Sequence, residues 1–226
     1  MKLTPYPSSR FSDWLSSNYT DFRQALYQCQ ISTLRLQAND FILRQGQVVD
    51  QLMVVPVGCI SMNISAVNGR RFQLGEVNCD YSLFGEIEFF TKTPCQWSVI
   101  ADERLDIDVL CVKKIEKMLS EQPQYAIYFA SALAQDYYDS LDIYTHRLLH
   151  PITYNIAYDL LQHGDSLALL GRFSQVNKEA ERFGTSSRVY RRAVKTLVEA
   201  GLVEKVDSQL RIIDRAGLQQ FIEGLD

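Results

Sequence analysis

This 226-residue chain has no long apolar run, and a helical span of a bilayer needs about 20 predominantly apolar residues. An integral helical membrane protein is therefore excluded. Met1 to Arg10 holds prolines and serines without an apolar stretch, so no secretory leader is indicated and a cytoplasmic protein is expected. Paired cysteines are also missing. The five present (Cys29, Cys59, Cys79, Cys95, Cys111) lie 16 to 30 residues apart with no CxxC, which suits reduced core thiols better than a disulfide framework. Cys95, just after Thr93-Pro94 in an expected loop, is the best candidate for a reactive one. Histidine is scarce: His146, His150 and His163 are the full set. There is no nucleophile elbow, phosphate loop or metal-ligand spacing. Glu86 and Glu88 form a carboxylate pair that strand alternation would put on one face, but no further acid, base or metal partner accompanies them. An enzyme is not expected.

Acidic residues are absent from Arg182 through Val198, in a chain whose net charge is −4. Residues 1–150 carry 13 basic against 17 acidic side chains, and the remainder carries 10 of each, so the local field of that stretch is strongly positive. It overlaps Phe173–Arg192, FSQVNKEAERFGTSSRVYRR, which has the layout of a helix-turn-helix. A first helix is expected over Gln175–Phe183, with Val176, Ala180 and Phe183 on one face. Gly184 permits a tight turn because it lacks Cβ. Thr185 and Ser186 offer hydroxyl caps for a second helix over Ser187 to about Glu199. Its outer face would carry Arg188, Arg191, Arg192 and Lys195, leaving Val189, Ala193, Val194 and Leu197 for the core. A polyanion, double-stranded DNA, is the natural partner.

A hydrophobic fraction of 46% supports real cores, and the pattern changes period along the chain. Short strands are expected at Ile31–Leu36 (half-buried by alternation), Phe41–Gly46, Leu52–Val55, Gly58–Ser65, Arg71–Val77, Trp97–Ala101 and Leu105–Leu110, with an Asn68-Gly69 hairpin turn. Helices follow at Lys113–Leu119, broken by Gln122-Pro123, and at Gln124–Leu149. In the long helix Ile127, Ala130, Ala134, Tyr137, Leu141, Tyr144 and Leu148 recur at spacings of three and four, a seam suited to a second copy. Phe129, Leu133 and Ile143 make another stripe, for the protein's own β-layer; the alternative is one wide stripe packed within the monomer. His150-Pro151 ends that helix and marks a hinge. A helix over Ile152–Gln162 closes at His163-Gly164, and after the helix-turn-helix come two wing strands, Leu202–Val206 and Gln209–Ile213, joined across Asp207-Ser208. A last helix spans Ala216–Gly224. The expected fold class is α+β: an N-terminal antiparallel β-roll (1–123), a dimerisation helix with hinge (124–150) and a winged helix-turn-helix (151–226).

That order resembles the Crp/Fnr family of bacterial transcription regulators over nearly the whole chain after about Gln30. Asp40-Phe-Ile-Leu-Arg-Gln-Gly46 looks like the family's early strand and glycine turn, and Met53-Val-Val-Pro-Val-Gly58 like its hydrophobic strand. Asp80-Tyr81 with Phe84-Gly-Glu-Ile87 resembles its pocket motif, and Ser98-Val-Ile-Ala101 the strand beyond. Gly85-Glu-Ile-Glu88 is similar to the YeiL-type branch.

The resemblance implies a homodimer reading an inverted-repeat operator, allosteric control from the β-roll, and RNA polymerase as a further partner. It puts Ser187, Arg188 and Arg192 against base edges, and Thr185, Ser186 and Arg191 on phosphate. It also implies an effector pocket at Gly85, Glu86, Gln96 and Trp97. The nucleotide-binding members carry an arginine and a small hydroxyl residue where Gln96 and Trp97 stand, and a cyclic phosphate buried without a charged partner is costly. Cyclic AMP and cyclic GMP are therefore not expected. Cys79 stands at a usual glycine position, and Cys79–Phe84 is two residues longer than in nucleotide binders. Only Cys29 lies near the N-terminus, so an iron–sulfur cluster is not expected either. No cofactor or metal is expected, and the effector is unassigned. The pocket is alternatively filled by Trp97 and Phe89, giving a constitutively active regulator. A rival reading is a cyclic-nucleotide-binding-like sensor module that acts through protein partners without DNA.

Overall fold

Alternating apolar residues between Ile31 and Leu110 build a six-stranded sheet in the computed structural model, which describes residues 1–6, 9–67, 71–163, 176–206 and 209–224. Its strands are β1 (Gln30–Leu36), β2 (Phe41–Leu43), β3 (Gln51–Ser65), β4 (Arg71–Phe84), β5 (Ser98–Ala101) and β6 (Leu105–Cys111), in the order β1-β6-β3-β5-β2 with β4 paired to β3. The antiparallel register runs Leu36↔Leu105 between β1 and β6, and Gln51↔Cys111 to Val54↔Asp108 between β3 and β6. The two expected segments Leu52–Val55 and Gly58–Ser65 are one strand, β3, and β4 continues past Val77. The Asn68-Gly69 turn lies outside the described residues.

Two strand-level expectations are overturned. β1 is exposed along both faces, with Ile31 and Leu34 open to solvent, because it ends the strand order and alternation cannot tell a rim from a half-buried strand. Glu86 and Glu88 do not share a strand face. They open α3 (Glu86–Thr91), where residues two apart point in different directions.

Two helices before the sheet, α1 (Ser12–Ser17) and α2 (Tyr19–Tyr27), have no counterpart in the sequence-based expectation. They bury Leu15, Phe22 and Leu26 against Tyr125, Tyr128 and Phe129. Phe22 stacks on Tyr128 at 3.9 Å and 4°, and meets Phe129 edge-on at 6.0 Å. The Tyr128 hydroxyl donates to the Leu15 carbonyl at 2.6 Å. Burying each such ring contributes about 1.5–3 kcal/mol, and a favourable ring pair adds about 0.5–1.5 kcal/mol.

The helices beyond the sheet are α4 (Val112–Glu121), α5 (Ala126–Leu149), α6 (Ile152–His163), α7 (Val176–Arg182), α8 (Ser187–Glu199) and α9 (Arg215–Glu223), with wing strands β7 (Val203–Val206) and β8 (Gln209–Ile212). The Gln175 start of the first motif helix, Gly164 and the Asp207-Ser208 turn lie outside the described residues. The long helix has the two faces its stripes require. Phe129 is buried and Leu133 and Ile143 are half-buried, while Tyr137, Leu141, Tyr144 and Leu148 are 69, 49, 44 and 85% exposed. Ala130 and Ala134 continue that open seam and Ile127 is half-buried, so one wide intramolecular stripe does not describe the helix. No helix among the described residues is long and apolar enough to cross a membrane.

The chain divides into two units, residues 1–62 with 78–140 and residues 63–77 with 141–226. In the second, Tyr154, Ile156, Ala157 and Leu160 of α6 form a core with Tyr190, Ala193, Val194 and Leu197 of α8 and Leu218 and Ile222 of α9. At His150-Pro151 the Asn155 amide donates to the His150 carbonyl at 3.0 Å, closing the end of α5.

Candidate nucleic-acid interface

Between α7 and α8 the chain turns through Gly184 at φ +62°, a left-handed conformation that a Cβ would strain. The Gly184 and Thr185 amides donate to the Glu181 and Ala180 carbonyls at 3.0 and 2.9 Å. Ser186, extended at φ −84° and ψ 151°, caps α8 by accepting from the Val189 amide at 3.4 Å. Of the two hydroxyls expected to cap, Ser186 is the one that does. Thr185 is half-buried in the turn.

Along α8, Tyr190, Ala193, Val194 and Leu197 are buried at spacings of three, four and seven, while Arg188, Arg191, Arg192 and Lys195 repeat that spacing two positions earlier and are exposed. Two positions on a 3.6-residue turn place the basic row opposite the buried one. Val189, expected in the core, is only half-buried, and Tyr190 takes its place, stacking on Phe183 at 5.9 Å. Lys195 pairs with Glu199 at 3.4 Å, whereas Arg188, Arg191 and Arg192 make no ion pair among the described residues. α8 has no acidic residue in its first turn, so the positive end of the helix dipole reinforces the arginines instead of being neutralised. The Ser187 hydroxyl donates to Asn177 Oδ1 at 2.7 Å and keeps its lone pairs for accepting.

Sequence reasoning missed the group that holds this surface in place. Arg182, first in the acid-free stretch, is no surface cation; its side chain is 1% exposed. Nη1 and Nη2 donate to the two carboxylate oxygens of Asp159 on α6 at 2.8 and 2.7 Å, and Nη2 also reaches Glu179 at 3.0 Å. Burial alone would lower the guanidinium pKa, but the bonds and charges of Asp159 and Glu179 outweigh it and raise it. Arg147 stands over the rings of Phe72 and Phe183 at 5.9 and 5.5 Å, and burial with the nearby Arg182 charge pushes it down to about 10. Only Glu179, three residues before Arg182, gave a local hint, since the decisive partner is 23 residues away.

The residues proposed for an effector pocket have diverse surroundings. Gly85 sits at φ +94°, and a Cβ there would lie 3.0 Å from Leu52 Cδ2. The buried Glu86 carboxylate is 3.0 Å from the Met1 ammonium; burial raises its pKa and the ammonium offsets part of that rise. Glu88 is also buried and accepts from the Gln96 amide at 3.3 Å. The Gln96 residue is exposed and Trp97 half-buried. A cyclic phosphate at this turn would meet two buried carboxylates, and Gln96 supplies no cation to balance it. The residues present do not fit a cyclic nucleotide.

Cys95 lies in the expected loop but is buried there, and burial together with the Glu88 charge pushes its thiol up to about 11. Burial does the same to Cys79, also to about 11. In native protein at pH 8, iodoacetamide is expected to leave both largely unmodified, while urea-unfolded protein loses that protection. Peptide mass mapping checks this, and rapid native labelling of Cys95 would contradict it.

Residues 33–122 match the cyclic nucleotide-binding domain family. No curated protein sequence matches the chain. Among solved structures, the chain is similar to the c-di-GMP responsive global regulator CLP of Xanthomonas campestris, with TM-score 0.71 and 13% identity, covering 85% of this chain and 98% of that one. It is similar to a CRP/FNR-family transcriptional regulator from Thermus thermophilus (TM-score 0.64, 17% identity, 86% and 100% covered). FixK2 from Bradyrhizobium japonicum matches at TM-score 0.65 and 16% identity, with 86% and 96% covered. The expected architecture is thereby borne out: the chain has the α+β fold of the Crp/Fnr transcription regulators, built on a cyclic nucleotide-binding roll.

Proposed function

We propose that this chain, with its Crp/Fnr fold, is a sequence-specific DNA-binding transcription regulator rather than an enzyme, acting in the cytoplasm as a homodimer. One observation carries the reading: a capped helix presents exposed Arg188, Arg191 and Arg192, without an ion pair among the described residues, on the side opposite its buried row. Arg188 and Arg192 address guanine edges through O6 and N7, Ser187 accepts or donates beside them, and Thr185, Ser186 and Arg191 hold phosphate at the helix start. The solvent-facing seam from Ala130 to Leu148, begun by half-buried Ile127, supports pairing of two chains, and paired recognition helices would read half-sites roughly 34 Å apart. Functionally the parts are a sensor roll (1–123), a pairing helix with hinge (124–150) and a DNA-binding unit (151–226). RNA polymerase is the partner such a regulator would engage. Cyclic AMP and cyclic GMP are not its ligands in this reading, and neither an iron–sulfur cluster nor a metal is required. The turn at Gly85, Glu86, Gln96 and Trp97 either takes an effector of different chemistry or is closed by its own side chains.

Selection from a random duplex pool with the full chain tests the proposal, and the expected product is an inverted repeat. On the selected site, Arg188→Ala and Arg192→Ala should each cost about 1–3 kcal/mol and relax one base position, while Arg191→Ala should weaken all sequences alike and lower the salt slope by about 1. Duplex binding insensitive to Arg188→Ala and Arg192→Ala, or no enrichment at all, would instead favour a sensor module acting through proteins.

A further inference from the structure

Residues of α2 and of strands β3, β4 and β6 line an open cleft of about 500 Å³ that includes neither Gly85 nor Trp97. Its wall carries Tyr19, Arg23 and Tyr27 from α2, with Pro56, Tyr81 and Asp108 from the strands. The Arg23 guanidinium carbon stands 3.9 Å from the centre of the Tyr81 ring and 5.8 Å from that of Tyr27, so two aromatic faces hold it. Tyr81 holds its position at φ +50°, a conformation that a bulky residue rarely adopts.

Arg23 has no carboxylate partner among the described residues. The one acid on the wall, Asp108, has its Oδ1 occupied by Gln30 Nε2 at 2.7 Å and Thr33 Oγ1 at 3.0 Å. The hydroxyl oxygens of Tyr19 and Tyr27 are both buried; among the described residues neither makes a hydrogen bond within 3.5 Å, although Tyr27 stands close to the Asp108 carboxylate. Leaving a buried hydroxyl unpaired costs about 1–3 kcal/mol, so two of them beside one fixed cation constitute a polar demand that the fold itself does not meet.

We propose that this cleft is a binding site for a small aromatic carboxylate, whose anionic end engages Arg23 and the Tyr19 and Tyr27 hydroxyls while its ring lies against Pro56 and the tyrosine faces. Burial first, and the Asp108 charge second, push Tyr27 up to about 12, and burial also raises Tyr19. Both phenols therefore keep their protons at neutral pH and can donate to an anion. A phosphate ion would satisfy the donors but leave the apolar wall wet; an uncharged ring would do the reverse. The inference does not depend on the DNA-binding reading.

Benzoate is the probe, titrated into the full chain with tyrosine ring carbons labelled for NMR. Saturable shifts are expected at Tyr19, Tyr27 and Tyr81, with benzamide and acetate each at least about tenfold weaker. Arg23→Gln should weaken benzoate at least about tenfold, and Tyr27→Phe, which keeps the ring and removes only the hydroxyl, several-fold. Circular dichroism verifies folding of both, and Tyr27→Phe decides the matter if Arg23→Gln is unfolded. No saturable benzoate shift, benzamide binding as well as benzoate, or full affinity retained in a folded variant would each overturn the proposal.

Discussion

Arg182→Ala is expected to unfold the helix-turn-helix unit at temperatures where the parent protein is intact. The substitution leaves Asp159 and Glu179 facing one another in a buried site with the shared guanidinium gone. Breaking a buried ion pair from one side costs about 3–5 kcal/mol, because the two carboxylates lose the cation that bridges them. In a unit of this size that is a fall of roughly 15 °C or more in the transition. Arg182→Lys should lie between: the charge survives, but a point ammonium cannot reproduce the bidentate contact at 2.8 and 2.7 Å. Calorimetry reads both, and the transition of the sheet unit should stay in place. A melt of Arg182→Ala within about 3 °C of the parent would show that the three-residue knot is dispensable.

Leu141→Glu combined with Leu148→Glu is expected to leave folded, single chains. Both side chains are already open to solvent in one chain, so neither substitution disturbs its own core. In a pair of helices, four carboxylates would instead be driven into the apolar seam beside Tyr137 and Tyr144, where unpaired charge is not tolerated. Sedimentation should report half the parent mass. Affinity for the selected inverted repeat should fall by about 10² to 10⁴, the part of binding that comes from linking two half-site contacts. Parent protein already sedimenting as a monomer, or a doubly substituted dimer, would remove the pairing helix from the account.

The helix-turn-helix was legible in the sequence because its signals are local: a glycine at the turn, a hydroxyl cap and basic residues at helical spacing. α8 was placed with its observed ends, Ser187 and Glu199, and only one core position was misassigned, since Val189 and Tyr190 are adjacent apolar residues and period alone cannot choose between them. The two stripes of α5 were also readable, and the one that faces solvent is the one set aside for a partner. Long-range chemistry was not readable. Nothing near Arg182 announces Asp159, and nothing near Glu86 announces Met1, 85 residues away. α3 was read as strand because a six-residue helix barely completes its period, and α1 and α2 were missed because their apolar residues only make sense against Tyr128 and Phe129. The cleft at Arg23 combines all three difficulties, since its donors come from elements that a linear reading keeps apart.

The bare rim of β1 has a practical consequence. A strand that ends the sheet order among the described residues, with Ile31 and Leu34 exposed, is a template on which concentrated solutions can zip into ribbons. A lysine at Leu34 is the modest alteration that would keep samples clear.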